Sequence, residues 1–187
     1  RDRSIDTVEE LSGKRVATID YDQPSIFLVN HIGASMVPSN SANFSGKFNN
    51  GSVDVAYAPA VAYKPLEMYK GLEENGGILR YNLAYMDFQI IIRADKFPKG
   101  FGQESRNAVA SYFDRVNETV KKETSAIDPK FWMELSPETT QQYNEMLRDV
   151  RIQLRDQGVY NSKMLRLMRK LRCKANPAAA ECAEKLE

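Results

Sequence analysis

The chain has 187 residues, with 26 lysines and arginines against 25 aspartates and glutamates, and 42% of its residues are hydrophobic. That length and balance describe a globular protein of one domain or two small lobes. A net charge of +1 gives no global field to recruit nucleic acid, and no apolar run approaches the roughly 20 residues that span a bilayer.

The elements read in chain order as follows. Residues 6–11 form one helical turn with acids at its start, closed by Gly13. Arg15–Ile19 is a short apolar strand. Pro24 or Ser25 opens a helix that Gly33 stops. Met36-Val37-Pro38 is a second short strand, residues 43–49 a short helix, and Asn50-Gly51 a turn into a third strand at residues 53–56. Pro65 interrupts the next run, and Asn75-Gly76-Gly77 breaks the chain. Residues 78–93 are the most strand-like segment. Their core, Phe88-Gln89-Ile90-Ile91-Ile92, is apolar enough for burial on both faces.

Beyond Gly102 the periodicity changes. Ala108, Tyr112, Phe113 and Val116 follow helical spacing. Ser136-Pro137 opens a second helix, whose stripe is Tyr143, Met146, Leu147, Val150 and Leu154. Asn161-Ser162 opens a third, with Met164, Leu165, Met168 and Leu171 directed inward. Strands and helices alternate in the first half and helices alone fill the second, so an α/β fold with helices added at the end is expected.

Two strand ends define the candidate site. In an open α/β sheet, ligands bind beyond the carboxyl ends of the strands. Asp20, Tyr21, Asp22 and Gln23 follow the first strand, and Tyr57 and Ala58 follow the third. Asn43 at the short helix, Tyr85 and Asp87 complete the candidate ligand set. Carboxylates among aromatic faces suit a cationic or amine ligand through ion pairs and cation–π contact. The alternatives are plainer: Asp22 as a helix cap, Asp54 as a strand-end packing group, Tyr63 and Tyr69 as core, and the single histidine, His31, as a surface or packing residue.

No enzyme constellation is assembled. The chain has no nucleophile elbow and no phosphate-binding glycine loop. Two cysteines and one histidine make a poor metal set, so no metal or cofactor is expected. Cys173 and Cys182 flank a segment containing a proline and small residues. They read as a disulfide pinning the tail, which implies an oxidising compartment; two free thiols are the alternative. The run 163–174 carries six cations and no acid. It is either a solvated face or a docking element for an acidic partner or an anionic membrane. No aromatics interleave these bases, which argues against single-stranded nucleic acid.

The segments VEELSGKRVATID, IGASMVPSNSANF and NNGSVDVAYAP, in that order, resemble the central part of TRAP-type (DctP-like) periplasmic solute-binding proteins. The likeness is closer to the AdeT-type solute-binding proteins, through KFNNGSVDVAYAPAVAYKPLEMYKG, ENGGI, FPKGFGQESR and RCKANPAAAEC. The resemblance implies a type II periplasmic-binding-protein-like fold. Residues 1–87 would form a mixed-sheet α/β lobe with ligand-facing strand ends. Residues 88–187 would form a hinge strand and C-terminal helices packing on the other lobe. It also implies that the N-terminal lobe, or a second chain, supplies the opposite cleft wall. The implied function is capture of a small solute, in the periplasm, for a membrane transporter subunit. An accessory role in a membrane efflux assembly is the alternative. Two departures stand out. The family's clamping arginine in the first strand aligns with Ala17 here, and the asparagine after its "VD" pair corresponds to Ala58. Losing a bidentate arginine argues against a simple organic acid as ligand.

Overall fold

Three short strands build the first sheet: β1 (Arg15–Ile19), β2 (Ser35–Ser39) and β3 (Val55–Ala56). The computed structural model describes residues 1–85, 89–184 and 186–187. The strand order is β2-β1-β3, parallel throughout, with Val16 opposite Met36 on one side and Val55 on the other. Parallel neighbours need a crossover between them. Helix α1 (Gln23–His31) links β1 to β2, and α2 (Phe44–Asn49) links β2 to β3. A sheet flanked by helices must be apolar on both faces. The alternation along β1 meets this demand: Val16 packs with Val29 of α1 and Ala34, while Ala17 packs with Phe48 of α2, Val53, Met68 and Leu72. Gly33 adopts a positive φ of 69° just past α1, which turns the chain directly into β2.

The second cluster is closed by a tight approach. Helix α3 (Tyr69–Leu72) lays Gly71 against the Phe48 ring, where an added Cβ would sit 2.3 Å from a ring carbon. The Arg1 guanidinium donates to the carbonyls of Phe48, Asn49 and Gly71 and pairs with Glu73. Strands β4 (Ile78–Leu79) and β5 (Trp132–Met133) form a second, two-stranded parallel sheet. The Arg3 guanidinium bonds the carbonyls of Gly76, Lys130 and Trp132. Phe131 enters the α2–α3 cluster, so the C-terminal half contributes to the first core.

The long strand expected over residues 78–93 is corrected. Among the described residues of this segment only Ile78–Leu79 is strand, residues 89–93 have no regular structure, and Ile90 and Ile91 are 75% and 88% exposed. β4 has only the two residues of β5 to pair with, and no second strand lies alongside the apolar run among the described residues. Strand propensity without a partner produces no strand. The described pairings are also all parallel, where a mixed sheet was expected.

The helical part comprises α4 (Phe101–Ser111), α5 (Phe113–Ser125), α6 (Pro137–Asp156), α7 (Ser162–Ala175) and α8 (Ala180–Ala183). The predicted caps hold: Ser136 Oγ accepts from the Thr139 amide, and Asn161 Oδ1 accepts from Lys163 and Met164. Helix α6 packs against α1 and buries Tyr143, Val150 and Leu154. Helix α7 departs from expectation. Of its apolar positions only Leu165 is buried; Met164, Met168 and Leu171 face solvent.

Candidate functional site

The chain leaves β1 for β2 on one side and then crosses over to β3 on the other. The reversal lies between β1 and β3, at the carboxyl ends of both strands. Such a switch point is where open α/β sheets leave a crevice, because the outgoing loops diverge to opposite faces. The loop after β1 carries Asp20, Tyr21 and Asp22, and the loop after β3 carries Tyr57 and Ala58.

The loop after β1 is held by its backbone. The Asp20 amide donates to the Ser39 carbonyl at 3.0 Å, and the Asp22 amide to the Ile19 carbonyl at 3.1 Å. The Tyr21 side chain is left largely in solvent. Asp22 stands at the N-cap of α1, yet its carboxylate makes no cap bond to the helix amides; it accepts from Ser25 Oγ instead. Gln23 is the first helical residue and is exposed. The loop after β2 is stiffened by two asparagines. Asn40 Oδ1 accepts from Ala42 and Asn43, and Asn43 Oδ1 accepts from Asn40. Asn43 therefore spends its carbonyl oxygen on the loop itself.

The Tyr57 ring packs on the β1–α1 cluster, and its hydroxyl is buried with no hydrogen-bond partner among the described residues. A buried hydroxyl without a partner is uncommon and calls for a reason. Ala58 is exposed beside it. Tyr85 is exposed, and its electrostatic neighbour is Tyr81, whose ring packs on Tyr143 of α6 and whose hydroxyl donates to Asn144. No described contact joins Tyr85 to the two strand-end loops. Asp87 lies outside the described residues, as does Met86 at the start of the expected hinge segment.

The other end of the sheet is occupied by an ion pair. Asp54 grips Arg15 through Nε at 3.0 Å and a terminal nitrogen at 2.6 Å, and also accepts the Arg15 amide at 2.9 Å. The hydrogen bonds from Arg15 pull the Asp54 carboxyl down to about 2, against partial burial acting the other way. Asp54 thus joins the start of β1 to the entry of β3, as the packing reading expected. Arg15, the arginine nearest the family's clamp position, is held at the amino end of its strand. His31 stacks on Phe27 at 6.0 Å, and Tyr63 contacts Tyr69, both in keeping with packing roles.

Sequence reading did not single out Tyr160. It follows α6, and its hydroxyl is pushed upward by burial first and then by the negative charge of Asp22. The α6–α7 turn is thereby brought towards the α1 N-terminus. A lone tyrosine after Gly158 carried no signal of this, because the approach depends on α6 packing against α1. A shallow recess of about 220 Å³ beside Arg80 and Trp132 belongs to the β4–β5 pair. Among the described residues there is no cluster of three metal-ligating side chains, and no helix is long and apolar enough to cross a membrane.

Cys173 and Cys182 form a disulfide, as one sequence reading anticipated. It turns the chain back after α7 so that Glu181 meets Arg172 in a two-pronged pair, both contacts 2.8 Å. Arg151 of α6 pairs with Glu187 at 2.6 Å, and Arg148 with Glu184 at 3.0 Å. Arg172 draws the Glu181 carboxyl below its ordinary range.

The family described as "Solute-binding protein AdeT 1/2" matches residues 1–187. The chain is 43% identical over 182 residues to "Probable solute-binding protein AdeT1" of Acinetobacter baumannii, covering 97% of this chain and 60% of that protein. It is 25% identical over 180 residues to "Probable solute-binding protein AdeT2" of the same organism, covering 96% of this chain and 76% of the relative. The chain therefore spans about three-fifths of the length of the AdeT1 relative. A match along the whole chain, with this level of identity, makes the protein a member of the AdeT 1/2 family of solute-binding proteins.

Proposed function

We propose that the chain forms the α/β wall of a type II, TRAP-like solute-binding protein that works in the periplasm. It captures a small cationic or amine-bearing solute at the carboxyl ends of β1 and β3 and presents it to a membrane transporter subunit. The observation that supports this most directly is the parallel order β2-β1-β3, because ligands bind at such a switch point and Asp20, Tyr21 and Asp22 follow β1 as Tyr57 and Ala58 follow β3. The two carboxylates supply charge, and Tyr21 offers an exposed aromatic face. Arg15 is engaged by Asp54, so the first strand offers no clamp for an organic acid. The second cleft wall comes from the rest of the protein or from a second chain, and binding proceeds by hinge closure without covalent chemistry.

Calorimetric titration of the intact protein with a panel of primary and quaternary amines, alongside dicarboxylates of similar size, tests the reading. Amines bind, and Asp20→Asn combined with Asp22→Asn weakens them about tenfold or more, the range expected when a desolvated ion pair is lost. Asparagine keeps a side-chain oxygen at position 22 to accept from Ser25 Oγ, so the fold survives. Binding of dicarboxylates but not amines, or amine affinity unchanged in the double variant, overturns it.

A further inference from the structure

Helix α7 presents two different faces. Its inner face is fixed: Leu165 is buried, Arg172 is paired with Glu181 and Glu187, and the Cys173–Cys182 disulfide holds the following turn. Its outer face carries Met164, Leu167, Met168 and Leu171, at spacings of three, four and seven, and these are 55%, 50%, 39% and 53% exposed. That spacing makes one continuous apolar stripe. Along one edge of it run Lys163, Arg166, Lys170 and Lys174, all exposed. Among the described residues none of these four has a carboxylate partner, and no acid occurs between 163 and 174. Lys163, Arg166, Leu167 and Lys170 frame an open surface depression of about 230 Å³. With a net charge of only +1 on the whole chain, this helix is a local concentration of positive charge.

We propose that the outer face of α7 is a docking surface for an anionic phospholipid membrane. An apolar stripe bordered by unpaired cations is the pattern of a helix lying in a bilayer interface, with its aliphatic side chains among the acyl chains and its cations at the headgroups. A neutral apolar cover would strand the four cations out of water with no counter-charge. A protein partner is the weaker fit, because the stripe has none of the tryptophan or tyrosine anchors on which protein interfaces concentrate their binding energy. Helix α5 provides an internal contrast. Its exposed stripe is flanked by Asp114, Glu118 and Glu123 as well as by Arg115, Lys121 and Lys122, so it offers an anionic surface no net attraction. The inference does not depend on the identity of the solute.

The test is sedimentation of the intact protein with phosphatidylcholine vesicles, with and without about one-third phosphatidylglycerol. The expected result is partitioning at least about tenfold stronger onto the anionic vesicles, weakening with salt. Two variants separate the contributions. Lys163→Gln, Arg166→Gln, Lys170→Gln and Lys174→Gln together remove the charge; Met164→Ser, Leu167→Ser and Leu171→Ser together remove the stripe. All these side chains are exposed, so the fold is retained, which circular dichroism verifies. Each variant loses the preference by about tenfold or more, while Phe113→Ser with Val116→Ser on α5 leaves it intact. The proposal is overturned by equal binding to neutral vesicles, by no binding to either, by either α7 variant binding as the parent does, or by loss in the α5 variant. Capture of an acidic helical peptide in the absence of vesicle binding also overturns it and assigns the face to a protein.

Discussion

In α6, Tyr143, Val150 and Leu154 are almost fully buried, whereas in α5 Phe113, Val116 and Val120 are between 41% and 66% exposed. Both helices carry apolar residues at helical spacing, and both are mostly polar elsewhere. The difference is in what lies opposite. Helix α6 has α1 to pack against, whereas α5 meets the short turn at Ala60–Ala62 and leaves Phe113, Val116 and Val120 largely in solvent. The same holds between strands. Val16 and Ala17 sit between two helices, while Ile90 and Ile91 are left in solvent. Periodicity specifies a face, and burial requires a second surface to meet it.

The sharpest way to break this comparison is to truncate one residue from each helix. Leu154→Ala should cost about 2–5 kcal/mol of unfolding free energy, the range for a buried leucine, whereas Val116→Ser should change it by less than about 0.5 kcal/mol. Urea denaturation reads both, and a comparable loss in the two would mean that α5 is buried in solution. Next in size, Gly71→Ala puts a methyl group into the Phe48 ring and should cost about 1–3 kcal/mol by overpacking. An unchanged midpoint would show that α3 does not close the first core as tightly as drawn.

The Arg15–Asp54 pair gives a smaller effect with a pH signature. The folded Asp54 carboxyl titrates near 2, below its ordinary value of 3.8. The unfolded chain therefore takes up this proton first, so the stabilisation is complete above pH 4 or so and disappears as the pH falls through 2. The pair is largely solvent-accessible, which limits its worth to about 1 kcal/mol. Asp54→Asn should lower stability by that amount at neutral pH and by nothing near pH 2; a difference independent of pH would assign the effect to packing. The smallest expected change is at Tyr143. Burial pushes its hydroxyl to about 12, and the hydroxyl has no partner among the described residues. Tyr143→Phe should be neutral or stabilising by up to about 1 kcal/mol, and a loss greater than that would reveal a hydrogen bond at this position.

The order of elements in the first half was legible because each boundary has a local chemical cause. Gly33, Pro24 and Asn50-Gly51 stop or start the chain by backbone conformation alone, and β1 came out residue for residue at Arg15–Ile19. The cap at Ser136 was legible for the same reason. The strand over residues 78–93 was not, because its existence depended on a long partner that β5 does not provide. The α7 face was misread because Leu165 and Met164 look alike in sequence, and only tertiary packing decides which of them is covered. At the candidate site, the loops after β1 and β3 were readable from strand ends. The approach of Tyr160 to Asp22 was not, since it is produced by tertiary packing between distant helices.

One further consequence attaches to the returning tail. Arg172 of α7 and Arg151 of α6 share the carboxylates of Glu181 and Glu187. Helices α7 and α6 are thereby tied to one another through the tail by charge-assisted contacts. With the Glu187 side chain fully buried, this joint is screened by salt far less than the exposed ion pairs of the surface. Because α6 packs against α1, and Asp22 is the N-cap of α1, the tail is linked through two helices to the loop that follows β1.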